Sequence, residues 1–226
     1  PQPSADSPAP GAAAPPPRPI VLLAQTEAGY GNLMKLNTAV YLDCGTGLPR
    51  ITLDHLNGRT DDVICLTGGA EGPVGKLLLD GHKDKAEALL ARFKALFGDR
   101  LYVELQRHPG EDGAYPPAEQ VTERGFVEMA YAMDLPLVAT NDVHFPKSDM
   151  FEAHDALLCI ADGAYVDQQE PRRHLTPQHY FKSGAEMATL FADLPEAIEN
   201  TVEIAKRCAF RARTHPPILP KFADDE

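Results

Sequence analysis

The stretch Leu-Pro-Leu-Val-Ala-Thr-Asn-Asp-Val-His-Phe, residues 135–145, decides the fold class that this sequence predicts. Its apolar run is typical of a buried parallel strand, and it leads directly into Asp142 and His144. Because side chains two residues apart in a strand point to the same side, this carboxylate and imidazole should leave the strand end together. In (β/α) barrel enzymes, such strand ends present ligands to a divalent metal ion. The alternative is a polar turn whose aspartate caps the next helix.

The same pattern of a strand followed by a helix repeats on the N-terminal side of this stretch. The predicted strands are the apolar runs at residues 20–24, 63–67 and 101–105 and a fourth strand that opens at Leu137. The predicted helices are one that carries Leu33, Met34 and Leu36, a short one within residues 48–57, and longer ones at residues 83–97 and 117–133. A Gly-Tyr-Gly turn at residues 29–31 should lead into the first helix. This alternation indicates a parallel α/β sheet or barrel.

Three glycines, Gly68, Gly69 and Gly72, follow the second predicted strand. They suggest a phosphate-binding loop only weakly, because the spacing lacks the lysine and the serine or threonine of a P-loop. We therefore favour a tight turn from the strand into a helix.

Beyond the opening stretch, the sequence predicts mainly helices. In a helix at residues 151–161, Asp155 should act as a cap and His154 should pack, while a catalytic role for this pair is the less favoured interpretation. A last helix should begin at Pro195 and be capped by Asp193.

The remaining polar and terminal segments are interpreted as surface and linkers. Lys182, Arg172 and Arg173 are expected to be solvated surface residues. Residues 1–18 are rich in proline and alanine, a composition that predicts a disordered linker. Residues 211–226 are interpreted as an exit linker.

Composition bounds the functions that this chain can have. Its content of 43% hydrophobic and 24% charged residues is typical of an ordinary globular protein. Its net charge of −12 argues against a surface that binds nucleic acid by itself. Four cysteines without a C-x-x-C pair are interpreted as reduced thiols of a cytosolic protein. No apolar run approaches the length of a membrane span, and nothing resembles a signal peptide, so we expect a cytoplasmic protein without membrane contact.

Six blocks of residues occur in the same order as in a known family. They are Gly-Tyr-Gly-Asn-Leu-Met-Lys-Leu (29–36), Leu-Thr-Gly-Gly (66–69), Tyr-Val-Glu-Leu-Gln-Arg-His (102–108), Ala-Thr-Asn-Asp-Val-His (139–144), Ala-His-Asp-Ala-Leu-Leu-Cys-Ile (153–160) and Asn-Thr-Val-Glu-Ile-Ala-Lys-Arg-Cys (200–208). Together they resemble the alpha subunits of bacterial DNA polymerase III, in the N-terminal polymerase-and-histidinol-phosphatase (PHP) domain and the junction that follows it. The resemblance covers about residues 19–222.

This resemblance implies an incomplete, distorted (β/α) barrel of the PHP type, followed by a helical junction toward a polymerase body that lies outside this sequence. Residues 1–18 would be the linker, residues 19–150 the C-terminal part of the barrel, residues 151–210 a helical extension and residues 211–226 the exit linker to that body. The whole protein would be a nucleotidyltransferase that performs template-directed DNA synthesis. The carboxylates for its two Mg²⁺ ions would lie beyond this chain, so the segment alone should be inactive.

The resemblance also bears on the metal site. Metal-binding members open the domain with an H-x-H pair, which does not occur in this sequence, and they place a histidine and a cysteine where this chain has Pro19 and Gly69. Asp142 and His144 match the remaining D-x-H pair of ligands. Of the four positions Pro19, Gly69, Asp142 and His144, the first two thus lack a ligand side chain. The resemblance therefore implies a structural domain whose degenerate metal site binds Zn²⁺ or Mn²⁺ weakly at most. The alternative is a free metal-dependent phosphoesterase of the PHP family, with the same pair among its ligands.

The resemblance also bears on two further polar residues and on the partners of this chain. Glu104 and His108, in the third block, could line the same barrel mouth, but we favour a role in hydrogen bonding around the site. The expected partners are the rest of the polymerase alpha chain, DNA through the full protein, and a proofreading exonuclease subunit.

Overall fold

The computed structural model describes residues 17–44, 49–110, 113–168 and 175–217, and it has a mixed α/β fold built on one four-stranded sheet. The strands are β1 (Val21–Ala24), β2 (Val63–Leu66), β3 (Leu101–Gln106) and β4 (Leu137–Thr140), and they lie side by side in chain order. All four predicted strands are thus confirmed. Most of the predicted linkers, at residues 1–16 and 218–226, lies outside the described residues, as do the predicted surface residues Arg172 and Arg173.

The prediction of a wholly parallel sheet is wrong at one edge. β3 is parallel to β2 and to β4, but β1 is antiparallel to β2, with Val21 opposite Leu66. The backbone N–H of Gln25, which follows β1, donates to the carbonyl of Asp62, which precedes β2, at 2.9 Å. The chain between these strands therefore leaves and returns at the same end of the sheet. A strand followed by a helix does not determine the direction of the next strand, so the sequence pattern could not reveal this reversal.

Most of the helices follow the predicted pattern, but the one at Gly184–Leu190 was not predicted. The helices are α1 (Glu27–Asp43), α2 (Leu53–Leu56), α3 (Pro73–Leu79), α4 (Lys83–Phe97), α5 (Pro117–Ala132), α6 (Phe151–Asp162), α7 (Gly184–Leu190) and α8 (Pro195–Arg207). The predicted turn at residues 29–31 is wrong, because both of its glycines lie inside α1. Thr26 caps that helix by accepting a hydrogen bond from the backbone of Gly29, and a side chain at position 29 would collide with the carbonyl oxygen of Asp62.

Apolar side chains cover both faces of β2, β3 and β4. Alternate residues such as Cys65, Val103 and Leu137 belong to a large cluster with the helices α4 and α5. The intervening residues Ile64, Leu66, Tyr102 and Val138 pack with Ile204 of α8 on the other face. Because both faces are buried, these strands read as continuous apolar runs rather than as an alternating pattern.

Two predicted helix caps are wrong. The cap of α8 is Leu194, and the carboxylate of Asp193 instead accepts two hydrogen bonds from the guanidinium of Arg107, at 2.6 and 2.8 Å. A buried charged donor is a stronger partner than a backbone N–H at a helix start. Asp155 lies inside α6, which begins at Phe151, and it is buried rather than capping. Among the described residues, no helix is both long and apolar enough to cross a membrane.

Candidate functional site

The predicted pair of metal ligands lies in the loop that follows β4. The Nε2 atom of His144 is 3.3 Å from a carboxylate oxygen of Asp142. The backbone of Asp142 is left-handed, with φ of 38°, a conformation that aspartate adopts more readily than most residues. Because β4 ends at Thr140, this loop conformation, and not the alternation of a strand, brings the two side chains together. The site is open, since 53% of the Asp142 side chain and 29% of the His144 side chain are exposed.

The segment of residues 176–182 holds this loop in place. The side-chain amide of Asn141 donates to the carbonyl oxygens of Gln178 and Tyr180, at 3.2 and 2.7 Å. The backbone N–H of His144 donates to the carbonyl of His179 at 2.9 Å. Lys182 donates to the side-chain oxygen of Asn141 at 3.0 Å, so its interpretation as a solvated surface residue is wrong. We call this contact of residues 176–182 with Asn141 and His144 the clamp. No sequence pattern predicted it, because its two parts lie about 40 residues apart and meet mainly through backbone groups.

Three further imidazole rings surround the pair. The ring of His179 stacks on that of His108, with 3.8 Å between the ring centroids and 3° between the planes. The ring of His144 lies 5.9 Å from that of His179 and 5.7 Å from that of His154. Burial, together with the neighbouring His108, lowers the pKa of His179 to about 4, so this ring is neutral at pH 7. The buried Nδ1 atom of His154 has no hydrogen-bond partner among the described residues.

Glu104 and His108 are both buried and hydrogen-bonded. Glu104 lies within β3, and its carboxylate accepts from the backbone of Gly68 at 2.9 Å and from the hydroxyl of Thr140 at 2.6 Å. Burial raises the pKa of Glu104, although these hydrogen bonds oppose the shift. The ring of His108 pairs with the carboxylate of Glu119 at 2.6 Å and with the carbonyl oxygen of Asn141 at 2.9 Å. His108 therefore joins α5 to the loop that carries Asp142.

The glycines after β2 form a tight turn, as the sequence predicted. Gly68 is left-handed, with φ of 82°, and a short 3-10 helix over Gly69–Glu71 then leads into α3. A β-carbon on Gly68 would lie 2.0 Å from the carbonyl oxygen of Pro19, and one on Gly69 would lie 2.6 Å from the amide oxygen of Gln106. The side chain of Gln106 thus occupies the space beside the position where the resemblance places a cysteine ligand.

These side chains can offer a metal ion only a partial set of ligands. In the part of the chain that the structure describes, no group of three or more histidine, cysteine, aspartate or glutamate side chains is arranged to hold a metal ion. Asp142 and His144 are adjacent and open to solvent, whereas Glu104 and His108 are engaged in buried hydrogen bonds. The arrangement could bring a carboxylate and an imidazole to a cation or to a water molecule, as general acid–base chemistry also requires.

Sequence comparison shows which known proteins this chain resembles. A sequence model of the PHP domain matches residues 8–108. The DNA polymerase III subunit alpha of Caulobacter vibrioides is 48% identical over 204 residues, which are 90% of this chain and 17% of the relative. Those of Rickettsia bellii and Pseudomonas aeruginosa are 42% and 40% identical, again over 90% of this chain and 17% of each relative. This chain thus spans about one sixth of the length of these relatives, and its sequence corresponds to the PHP region of the DNA polymerase III alpha subunits, as its motifs predicted.

Proposed function

We propose that this chain is the PHP-region segment of a replicative DNA polymerase III alpha subunit and that its role there is structural. The observation that carries this proposal is the similarity to those subunits over nine tenths of the chain. The complete protein would extend a primer by template-directed nucleotidyl transfer, with Mg²⁺ ions held by residues outside this segment. The sheet of β1–β4 would be part of an incomplete barrel, and α6–α8 would form the junction toward the polymerase body.

The state of the candidate metal site supports a structural role. Gln106 fills the space beside Gly69, and Glu104 bonds to Gly68 and Thr140. Asp142 and His144 are then left as a two-ligand remnant, which would hold Zn²⁺ or Mn²⁺ weakly because a firm site needs three or more protein ligands. A metal ion held there would activate a water molecule for hydrolysis, and the chain's own contribution would be to position the carboxylate and imidazole beside it.

The alternative function is a metal-dependent phosphoesterase of the PHP family. One observation favours it: the rings of His154 and His179 each lie within 6 Å of the His144 ring, and the buried Nδ1 atom of His154 lacks a partner among the described residues. A small rearrangement could bring a third nitrogen to a metal ion. Backbone and side-chain bonds hold His179 in its present position, which argues against this rearrangement.

The two functions are separated by an experiment on the full-length protein that contains this segment. After dialysis, elemental analysis should find no stoichiometric zinc or manganese, and primer extension should proceed with Mg²⁺. The His144→Ala variant should leave primer extension unchanged, and any nuclease or phosphatase activity of the parent protein should not exceed that of the variant.

The opposite result would support the phosphoesterase. It would consist of stoichiometric zinc or manganese in the parent protein together with an exonuclease or phosphatase activity that disappears in the His144→Ala variant. Absence of primer extension from the full-length protein would contradict the polymerase assignment itself.

A further inference from the structure

A cavity of about 460 Å³ opens between the segment that precedes β1, the helix α2, the start of α3 and the helix α4. We call it the α2–α4 cavity. Its apolar wall is formed by Ile20, Ile51, Leu53, Leu56, Leu89 and Phe93. Leu56 and Phe93 belong to the buried core, whereas Ile51 is 41% exposed. This volume is that of a small-molecule site, for which about 300–1,000 Å³ is usual.

Prolines stiffen the wall of the α2–α4 cavity. Four of them, Pro17, Pro19, Pro49 and Pro73, line it. Proline fixes φ and has no backbone N–H, so each of these residues restricts the chain and offers the cavity no donor from its own backbone. Pro73 is also held as the first residue of α3. A preformed wall of this kind loses little conformational freedom when a ligand binds, which favours binding.

The charge of the cavity is opposite to that of the chain. The chain has 33 acidic and 21 basic residues, yet the described lining contains two arginines, Arg18 and Arg50, and neither aspartate nor glutamate. Thr52 adds a hydroxyl group, which already accepts a hydrogen bond from the backbone of His55 in the cap of α2. A guanidinium group binds carboxylate and phosphate oxygens through paired N–H groups. The lining therefore suits a ligand that combines an apolar body with an anionic group.

We propose that the α2–α4 cavity binds a small amphipathic anion. Its apolar body would lie against Leu56, Leu89 and Phe93, and its carboxylate or phosphate group would meet Arg18 and Arg50. Among the described residues that line the cavity, none is a polar residue of the candidate functional site, so this binding is independent of the metal question and of the polymerase assignment. A cation of the same shape would find no carboxylate on the described lining, and a neutral analogue would lose the charge-assisted hydrogen bonds.

Isothermal titration calorimetry on the full-length protein that contains this segment tests the proposal. The probes are octanoate and octyl phosphate, with octan-1-ol and octylamine as the neutral and cationic analogues of the same chain length. At least one of the two anions should bind with one-to-one stoichiometry, and the tighter of them identifies the head group. The alcohol and the amine should bind at least about tenfold more weakly than that anion, because they cannot form the bonds to the guanidinium groups.

Two substitutions locate the binding in this cavity. Arg18→Gln, in the exposed segment before β1, should weaken binding of the anion by about tenfold and leave binding of octan-1-ol unchanged. Leu89→Trp adds volume to the wall, so it should abolish binding of the anion. Arg124→Gln is the control and should leave every affinity unchanged, because Arg124 is 86% exposed on α5 and is not part of the lining.

Three results would overturn the proposal. The first is that neither anion binds, and the second is that octan-1-ol or octylamine binds as tightly as the anions. The third is an anion affinity that Arg18→Gln does not change. Thermal melting of each variant shows whether it is folded, and Arg18→Gln keeps the test decisive even if Leu89→Trp does not fold.

Discussion

At the scale of single residues, Arg107 illustrates how a buried charge is accommodated in this fold. Its guanidinium forms two hydrogen bonds with Glu123, two with Asp193 and one with the carbonyl of Leu190. It also lies over the ring of Phe191, 4.5 Å from the centroid. These bonds raise the pKa of Arg107 above its ordinary value, and they lower that of Asp193. One side chain at the end of β3 thus joins α5 to the connection between α7 and α8.

The first prediction concerns this arginine. Arg107→Met should lower the free energy of unfolding by about 2–3 kcal/mol, because it leaves two carboxylates without their shared cation. This loss of unfolding free energy lies at the low end of the range for breaking a buried ion pair, because the side chain of Asp193 is 62% exposed. Urea titration at pH 7 measures the change. Arg124→Met is the control, because Arg124 is 86% exposed and its pair with Glu128 should contribute less than about 0.5 kcal/mol. Equal effects of the two substitutions would contradict the prediction.

The second prediction separates backbone strain from steric collision. Gly68 and Gly58 are both left-handed, with φ of 82° and 69°. A β-carbon on Gly68 would collide with the backbone of Pro19, whereas nothing lies within 4 Å of one on Gly58. Gly58→Ala should therefore cost only about 1 kcal/mol of strain. Gly68→Ala should cost more than about 2 kcal/mol, because two backbone segments must also separate. Thermal or urea unfolding measures both, and similar losses would show that the close approach to Pro19 does not exist.

At the scale of secondary-structure elements, short helices here depend on their caps. α7 spans only Gly184–Leu190 and has no fully buried residue, so its packing is limited to the half-buried side chains of Met187 and Leu190. Ser183 and Glu186 form a capping box at its start, in which the serine hydroxyl accepts from the backbone of Glu186 and the glutamate accepts from the backbone of Ser183. Because α7 leads into the connection that binds Arg107, this cap helps to place Leu190 and Asp193.

The third prediction follows from this cap. Hydrogen bonds from Ser183 and Tyr180 lower the pKa of Glu186 to about 2. Since this value lies below that of the unfolded chain, the stabilisation is complete above pH 4.5 and is lost as the pH falls toward 2. Ser183→Ala should raise the pKa of Glu186 toward its ordinary value, which a carbon-detected NMR titration of the carboxylate can follow. Ser183→Thr, which keeps the hydroxyl, should leave it low. An unchanged pKa in the alanine variant would show that the capping box is not formed.

At the scale of the whole molecule, the two edges of the sheet differ. The β4 edge is covered, because α8 packs on it and the side chain of Asn200 donates to the carbonyl of Leu137 at 2.8 Å. β1 pairs only with β2 among the described strands, so its other edge is free to pair with another chain. Such an edge invites aggregation unless a further strand or a partner covers it.

The fourth prediction is that the isolated chain self-associates through β1. Val21, which is 37% exposed, is the position to change, because a lysine on an edge strand opposes pairing with another chain. Val21→Lys should reduce the aggregation of the isolated chain, as measured by light scattering. Val202→Lys, on the exposed side of α8, should not. A wild-type chain that is monomeric, with one sharp cooperative melting transition, would contradict this prediction.

Local sequence patterns predicted the four strands and most of the helices, although α7 was not predicted. Apolar runs predicted β1–β4, and the apolar stripe and Gly98 predicted both ends of α4, because these signals depend on neighbours within a few residues. The ordered motifs identified the DNA polymerase III alpha resemblance before any geometry was known. The sequence predicted that Asp142 and His144 lie together, but the left-handed backbone of Asp142 and not the alternation of a strand brings their side chains into contact.

The contacts between these elements could not be predicted from the sequence and are known from the three-dimensional structure. The reversal of β1, the bonding of Asp193 to Arg107 and the clamp of residues 176–182 on Asn141 all join residues distant in the sequence. The last two depend on competition between partners in space, because a buried guanidinium attracts Asp193 away from the helix start and backbone carbonyls attract the amide of Asn141. A local pattern contains no information about such partners, because they become neighbours only when the core has formed.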